Sequence, residues 1–231
     1  MQKRLPFLLE IEGTDGSGKT TAVKYVVEKL KAAGLRVLET REVGSPIVPG
    51  MADLRKIILN PDLGLDGVTM EFVFAAMRVE SQKFYRSVAD QYDIIVSDRG
   101  WLSHLAYTEH NVSKEFVDTF YENVVRELTQ LPNQVIYMDI NQETAKARRV
   151  SRGLAADAIE AKGEGYLSKV MATFNTLLGY FEFTYDTGIE STKITRIDAN
   201  GNLDSVRLQL DETLSDLISN LSNKPKESVG E

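Results

Sequence analysis

The chain contains no cysteine at all. That absence excludes a disulfide scaffold, thiolate metal sites, Fe–S ligation and any cysteine nucleophile. Histidine is nearly as scarce, with His104 and His110 the only two. Six residues apart, they would sit about 240° around a helix from one another, which argues against a shared metal. Long apolar runs are missing as well. The run from Leu5 to Leu9 is broken by Pro6 and followed at once by Glu10 and Glu12, too short and too acidic for a signal core or a membrane span. A cytoplasmic protein without membrane contact is therefore expected. Positive charge is in deficit, the formal net charge being -7; this disfavours bulk binding to nucleic acid but leaves room for a local Arg cluster that meets a small phosphorylated ligand. No repeat, low-complexity segment or Pro/Gly/Ser-rich linker divides the 231 residues.

Strand-length apolar runs alternate with segments of helical period, the pattern of a parallel sheet with crossover helices. Strands are expected at Phe7 to Ile11, Leu35 to Leu38, Ile94 to Val96, Gln134 to Ile140 and Lys193 to Ile197. Helices are expected from Thr20 with Gly34 as its C′ residue, around Leu54 to Ile58, from Val68 to Asp90, Lys114 to Leu128, Thr144 into Arg152, Tyr166 to Tyr185, and Leu203 to Leu221. Thr40 to Gly50 reads as a loop. The organisation expected is one domain over residues 1–222 with a flexible, Gly-bracketed lid near 150–165, and a disordered polar tail at 223–231.

Gly13-Thr14-Asp15-Gly16-Ser17-Gly18-Lys19-Thr20 fits G-x-x-x-x-G-K-[ST] between a predicted strand and a predicted helix, the setting in which such a loop binds phosphate. The glycines let successive N–H groups turn inward, and the following helix adds roughly half a positive charge. Lys19 would reach the β- and γ-phosphates, Thr20 would ligate Mg²⁺, and Asp98, at the carboxyl end of the third strand, would help hold the ion. Arg99 beside it can bind a phosphate bidentately or, more simply, pair with Asp98 at the strand end. Arg148, Arg149 and Arg152 form the basic island; they either stabilise charge on a transferring phosphoryl group or are a solvated helix end.

The phosphate loop does not stand alone. With Ile11-Glu12 ahead of it and Thr21 behind, and with Thr40-Arg41-Glu42, Phe74-Ala75-Ala76-Met77-Arg78, Ser97-Asp98-Arg99, Leu105-Ala106-Tyr107 and Ala147 to Gly153 with Asp157 to Glu160 following in order, the chain resembles the thymidylate kinases of the P-loop nucleoside-monophosphate kinase family. The resemblance implies a P-loop NTPase-like α/β fold, a five-stranded parallel sheet flanked by helices, and a homodimer. It also implies transfer of the ATP γ-phosphoryl to dTMP with Mg²⁺. By the same resemblance Gly13, Asp15, Gly16, Ser17, Gly18, Lys19, Thr20, Thr21 and the three lid arginines meet ATP. Asp15, Arg41, Glu42, Phe74, Arg78, Arg99, His104 and Tyr107 meet the acceptor, and Lys19, Asp15, Arg99 and Arg152 act in catalysis. Asp15 would accept from the deoxyribose 3′-hydroxyl, Phe74 stack on the base, Arg78 donate to its carbonyl and Tyr107 crowd the ribose 2′ position. Read alone, Asp15 is turn chemistry, Phe74 is core, Tyr107 a half-buried helix aromatic and His104 a surface helix residue. Glu12, Asp157 and Glu160 match family carboxylates with no assignable role.

Three departures touch the acceptor side: Val43-Gly44-Ser45-Pro46, Gly100 after Asp98-Arg99, and Ala158 in the lid. They admit another deoxynucleoside monophosphate, such as a 5-substituted dUMP or dGMP, as acceptor. A deoxynucleoside kinase is a more distant reading. A guanine-reading switch protein would carry an N-K-x-D motif, which the sequence lacks.

Overall fold

The computed structural model describes residues 5–108, 112–120, 128–151, 163–186, 188 and 192–222. Its centre is a five-stranded sheet in which every pairing is parallel. The strands are β1 (Phe7–Glu12), β2 (Val37–Arg41), β3 (Ile94–Asp98), β4 (Gln134–Asp139) and β5 (Lys193–Asp198), in the spatial order β2-β3-β1-β4-β5. Parallel strands need crossover helices on both faces. α1 (Lys19–Ala32), α2 (Met51–Ile58), α3 (Gly67–Ser87), α4 (Trp101–Thr108), α5 (Lys114–Phe120), α6 (Gln142–Ser151) and α7 (Glu164–Asp186) lie in these connections, and α8 (Leu203–Ser222) follows β5.

One face of β1, β3 and β4 packs against α1 and α8 through Val23, Val26, Leu30, Leu210 and Leu214. The opposite face is covered by α4 and α7, with Phe174 and Leu178 against Tyr137, and by α2 and α3, with Met77 and Tyr85 against Ile95. Each fully buried side chain of this kind contributes about 1.5–3 kcal/mol of transfer free energy. α1 closes as its sequence predicts. Gly34 takes φ +84, its N–H donates to the Lys31 carbonyl, and the Leu35 N–H donates to that of Leu30, which completes a Schellman motif.

Several boundaries differ from expectation. β2 begins at Val37 and runs to Arg41, because it stays in register with β3 as far as the Arg41–Asp98 pair; Thr40 and Arg41 are strand, not loop. α3 starts at Gly67, where the Asp66 side chain accepts from the Thr69 N–H at 2.9 Å, and ends at Ser87, short of Asp90. Of the expected lid, residues 152–162 lie outside the described residues, as do 121–127 of the helix expected to Leu128 and the whole 223–231 tail. Among the described residues no helix is long and apolar enough to cross a membrane.

Register decides where chemistry gathers. Ile11, Asp98 and Arg41 lie side by side at the carboxyl ends of three neighbouring strands, next to the loop leaving β1. In an open parallel sheet that edge is where ligands bind.

Candidate active site

The loop leaving β1 turns at Gly13, φ +145, where a Cβ would stand 2.8 Å from Ser17 Oγ and 2.9 Å from the Met138 carbonyl. It enters α1 through Gly18 in the left-handed region with no side-chain cap, leaving the amino end of the helix dipole directed at the loop. Gly16 is equally constrained, since a Cβ there would meet the Ala145 carbonyl at 2.5 Å; any side chain at 16 would strike α6. Lys19 is buried, and its Nζ donates to the Thr14 carbonyl at 2.8 Å and stands 3.7 Å from Asp15. Burial pushes its ammonium down to about 8, with Arg99 adding, while Asp15, Asp98 and Glu12 pull the other way.

Thr20 Oγ1 donates to Asp98 Oδ2 at 3.1 Å, so α1 and β3 bring a hydroxyl and a carboxylate to one point. Such oxygen donors suit Mg²⁺, which completes its shell with water and phosphate oxygens. Among the described residues no group of three or more His, Asp or Glu is placed to hold a metal ion. Arg99 sits at φ +68, a conformation that costs a non-glycine residue about 1–2 kcal/mol. It is held there by its own N–H to the Ile11 carbonyl at 3.0 Å and by Ser97 Oγ donating to its carbonyl at 2.6 Å. The turn aims its guanidinium back over the loop. Nη1 donates to the Gly13 carbonyl at 3.1 Å and to Ser103 Oγ at 3.0 Å, and Nη2 donates to Asp15 Oδ1. Arg99 therefore pairs with Asp15 across the loop, and the simple strand-end pair with Asp98 is not formed. Tyr107 completes the group, its hydroxyl donating to Asp15 Oδ2 at 3.4 Å and its ring lying 5.4 Å below the guanidinium. Burial alone would raise the Asp15 carboxyl, but Arg99 and Lys19 hold it well below the usual carboxylate range.

On the α3 side, Arg78 is buried with Glu42, Nη2 to Oε2 3.0 Å. Phe74, one turn earlier on α3, is half-buried, and its ring centroid lies 5.5 Å from that of His104. His104 is no surface histidine: its Nε2 is 2.6 Å from Glu71 Oε2 within the core, because α4 packs its inner face on α3. Arg41 is exposed at the end of β2, while the Glu42 N–H donates to the Asp98 carbonyl at 3.1 Å.

On the other side, a cavity of about 370 Å³ opens beside the loop, lined by Gly18, Thr21, Tyr25, Arg148 and Asn202 among others. Arg148 donates to the Gly201 carbonyl at 3.0 Å. Arg149 donates to the Asp15 carbonyl at 2.8 Å and pairs with Glu164 at 2.9 Å, tying the phosphate loop to α6 and the start of α7. Arg152 lies outside the described residues.

Two buried carboxylates gain roles that the sequence reading did not give them. Glu12 Oε1 accepts from the Gly100 and Ser103 N–H groups, both at 2.9 Å, and Oε2 accepts from Ser103 Oγ. Glu10 Oε2 accepts from the Trp101 N–H at 3.0 Å. Together they cap the amino end of α4 from the neighbouring strand, and α4 carries His104 and Tyr107 into the site. Glu10 fills the space beside Gly100, where a Cβ would lie 2.0 Å from its carboxyl carbon. The available signal was two acids at alternate positions in an otherwise apolar buried strand, since buried carboxylates are rarely without assigned partners.

Comparison with known proteins points the same way. A thymidylate kinase family model matches residues 11–204. The thymidylate kinase of an Exiguobacterium species is 29% identical over 217 residues, covering 92% of this chain and 94% of that protein. That of Legionella pneumophila is 28% identical over 220 residues, covering 91% and 95%, and that of Mycoplasma capricolum 30% over 203, covering 86% and 89%. The matched span begins inside β1 and ends in α8, so it takes in the phosphate loop, the Asp98-Arg99 strand end and the Phe74–Arg78 helix together, and the chain belongs to the thymidylate kinase family.

Proposed function

We propose that the protein transfers the γ-phosphoryl group of ATP to dTMP, giving dTDP and ADP, with Mg²⁺ as the supporting ion. One observation carries the reading: Lys19, the Thr20–Asp98 pair and the Asp15–Arg99–Tyr107 group meet at the carboxyl ends of β1 and β3, between the 370 Å³ cavity and the Phe74–Arg78 helix. ATP would place its base in the cavity and its phosphates on the loop from Gly13 to Thr21. The acceptor would lie along Phe74, Arg78 and Tyr107, with Arg99 at its phosphate and Arg41 and Glu42 lining the approach. An acceptor phosphate oxygen forms a bond to the γ-phosphorus while the bond from that phosphorus to the β–γ bridging oxygen breaks. The nucleophile is already anionic, so no side chain need remove a proton. Positioning and charge stabilisation supply the rate: Lys19 and the loop N–H groups on the donor side, Arg99 at the border, and a lid arginine, for which Arg152 is our choice, over the transferring group. Mg²⁺, held by Thr20 and Asp98, neutralises phosphate charge when bound. We assign residues 1–222 to one kinase unit acting as a cytoplasmic homodimer, the latter open to sedimentation analysis.

The test is ADP formation with Mg²⁺ and ATP across dTMP, dUMP, 5-hydroxymethyl-dUMP, dGMP, dCMP, dAMP and thymidine. Highest kcat/KM on dTMP is expected; preference for thymidine would overturn the monophosphate assignment, and preference for another monophosphate would overturn the base. Lys19→Ala should lower turnover by orders of magnitude with an unchanged circular dichroism spectrum. Near-normal turnover would sink the phosphate-loop assignment.

A further inference from the structure

The Arg78–Glu42 ion pair is not alone in joining the end of β2 to α3. A chain of three buried hydroxyls, which has no part in the reaction above, runs between the same two elements: Tyr85 Oη lies 3.0 Å from Thr40 Oγ1, and Thr40 Oγ1 lies 2.7 Å from Ser45 Oγ. Tyr85 and Ser45 are wholly buried, and Thr40 is 6% exposed. A hydroxyl both donates and accepts, so three in a row satisfy one another without water. Burial, with the Glu42 charge adding, raises the Tyr85 phenol above its ordinary value, and it stays protonated as a donor.

The two links run in parallel. On α3, Tyr85 follows Arg78 by seven residues, two turns along one stripe of the helix. On the strand, buried Thr40 and Glu42 alternate with exposed Arg41, so both turn toward α3. Ser45 extends the grip to the turn beyond Glu42. The outer side of that turn is held by α2, where Arg55 Nη1 donates to the Val43 carbonyl at 2.5 Å. Gly44, at φ +86, lies so close that a Cβ would stand 2.6 Å from Arg55 Cβ.

We propose that Tyr85 is a positioning residue for the acceptor: through Thr40 and Ser45 it sets the spacing of β2 and α3 at which Arg78, paired with Glu42, meets the acceptor base. The inference rests on the dTMP reading given above, in which the acceptor lies along Phe74 and Arg78. Without the phenol hydroxyl, Thr40 and Ser45 still pair with each other, but their link to Tyr85 is cut and the ion pair is left to hold the spacing. Lys19 and the loop N–H groups of the donor side belong to other elements, α1 and the loop leaving β1.

Tyr85→Phe tests this by calorimetric binding of dTMP and of ATP together with steady-state rates. The Kd for dTMP should rise about five- to tenfold, the scale of one lost buried hydrogen bond, while the Kd for ATP and kcat at saturating dTMP stay within about twofold. 2-Deoxyribose 5-phosphate, which keeps the sugar and phosphate but lacks the base, should compete with dTMP at an unchanged Ki. Thr40→Val should weaken dTMP binding as Tyr85→Phe does, and Thr40→Ser, which restores the hydroxyl, should return it to near the original. A Kd for dTMP within twofold in Tyr85→Phe overturns the proposal. So does a parallel loss of dTMP binding, ATP binding and kcat, or an equal rise in the sugar phosphate Ki, since either means a structural role only. An unaltered protein that does not bind dTMP refutes the function and this inference with it; one that binds dTMP, with Tyr85→Phe binding it equally well, refutes the inference alone. Should Tyr85→Phe not fold, the contrast between Thr40→Val and Thr40→Ser decides in the same way.

Discussion

Gly100 and Glu10 are predicted to be energetically coupled through a single packed space. A Cβ at position 100 would lie 2.0 Å from the Glu10 carboxyl carbon and 2.2 and 2.3 Å from its oxygens, so the carboxylate must move. Its surroundings oppose that, since Glu10 is 1% exposed and its Oε2 accepts the Trp101 N–H at 3.0 Å. Gly100→Ala should cost about 1–3 kcal/mol for overpacking and a further 1–3 kcal/mol where the Trp101 N–H loses its acceptor. In Glu10→Ala the space is already vacant and the N–H already unpaired, so adding Gly100→Ala should change stability by less than about 1 kcal/mol, a coupling of roughly 1 kcal/mol or more. Urea denaturation followed by the fluorescence of Trp101, the only tryptophan, measures all four corners of the cycle. A Gly100→Ala cost below about 0.5 kcal/mol, or simple additivity, would refute the packing argument.

Burial penalises the charged form of Glu10 and, against the pull of Arg78 and with Glu42 and Glu12 adding, pushes its carboxyl up to about 8 from 4.5. The folded state thus holds this proton more tightly than the unfolded chain, so the associated stability is complete below about 4.5 and is lost as pH rises through 8. Glu10→Gln should flatten that loss, whose upper limit is about 5 kcal/mol; parallel urea midpoints for both proteins from pH 5 to 9 would contradict it. With the Lys19 ammonium down to about 8, the Kd for ATP measured by calorimetry should rise above that pH, whereas Lys19→Arg should show weaker but nearly pH-independent binding over the same range. Arg152→Ala should lower kcat by about a hundredfold or more while leaving the KM for dTMP near its original value, as for a contact made mainly in the transition state. The reverse pattern would remove Arg152 from the catalytic role. Glu12→Ala should destabilise by about 3 kcal/mol or more, because it strips the acceptor from the Gly100 and Ser103 N–H groups at once; a midpoint shift worth less than 1 kcal/mol would show that α4 is capped by other means.

Much of the frame is legible in sequence because its causes are local. The phosphate loop depends on glycine at positions where only positive φ fits, and the strands announce themselves as short apolar runs broken by Gly, Pro and Asn. α4 was harder, since its eight residues are too few for a clear period, and its start is set by carboxylates of another strand. The end of β2 escapes a local reading for a similar reason. Nothing inside Val37–Arg41 says where the strand stops; its register against β3 does.

The sheet class, the phosphate loop with Lys19 and Thr20, and the place of Asp98-Arg99 at a strand end are written locally in the chain, because all of them follow from periodicity and backbone rules acting within a few residues. The pairing of side chains is set by the folded arrangement. Arg99 pairs with Asp15, 84 residues away, and not with its neighbour. Glu10 occupies the room that Gly100 leaves, and His104 is buried against Glu71, 33 residues earlier. Such pairs form because packing brings two helices and a strand edge into a dry space where each charge must find a partner, and no local window of sequence contains both members.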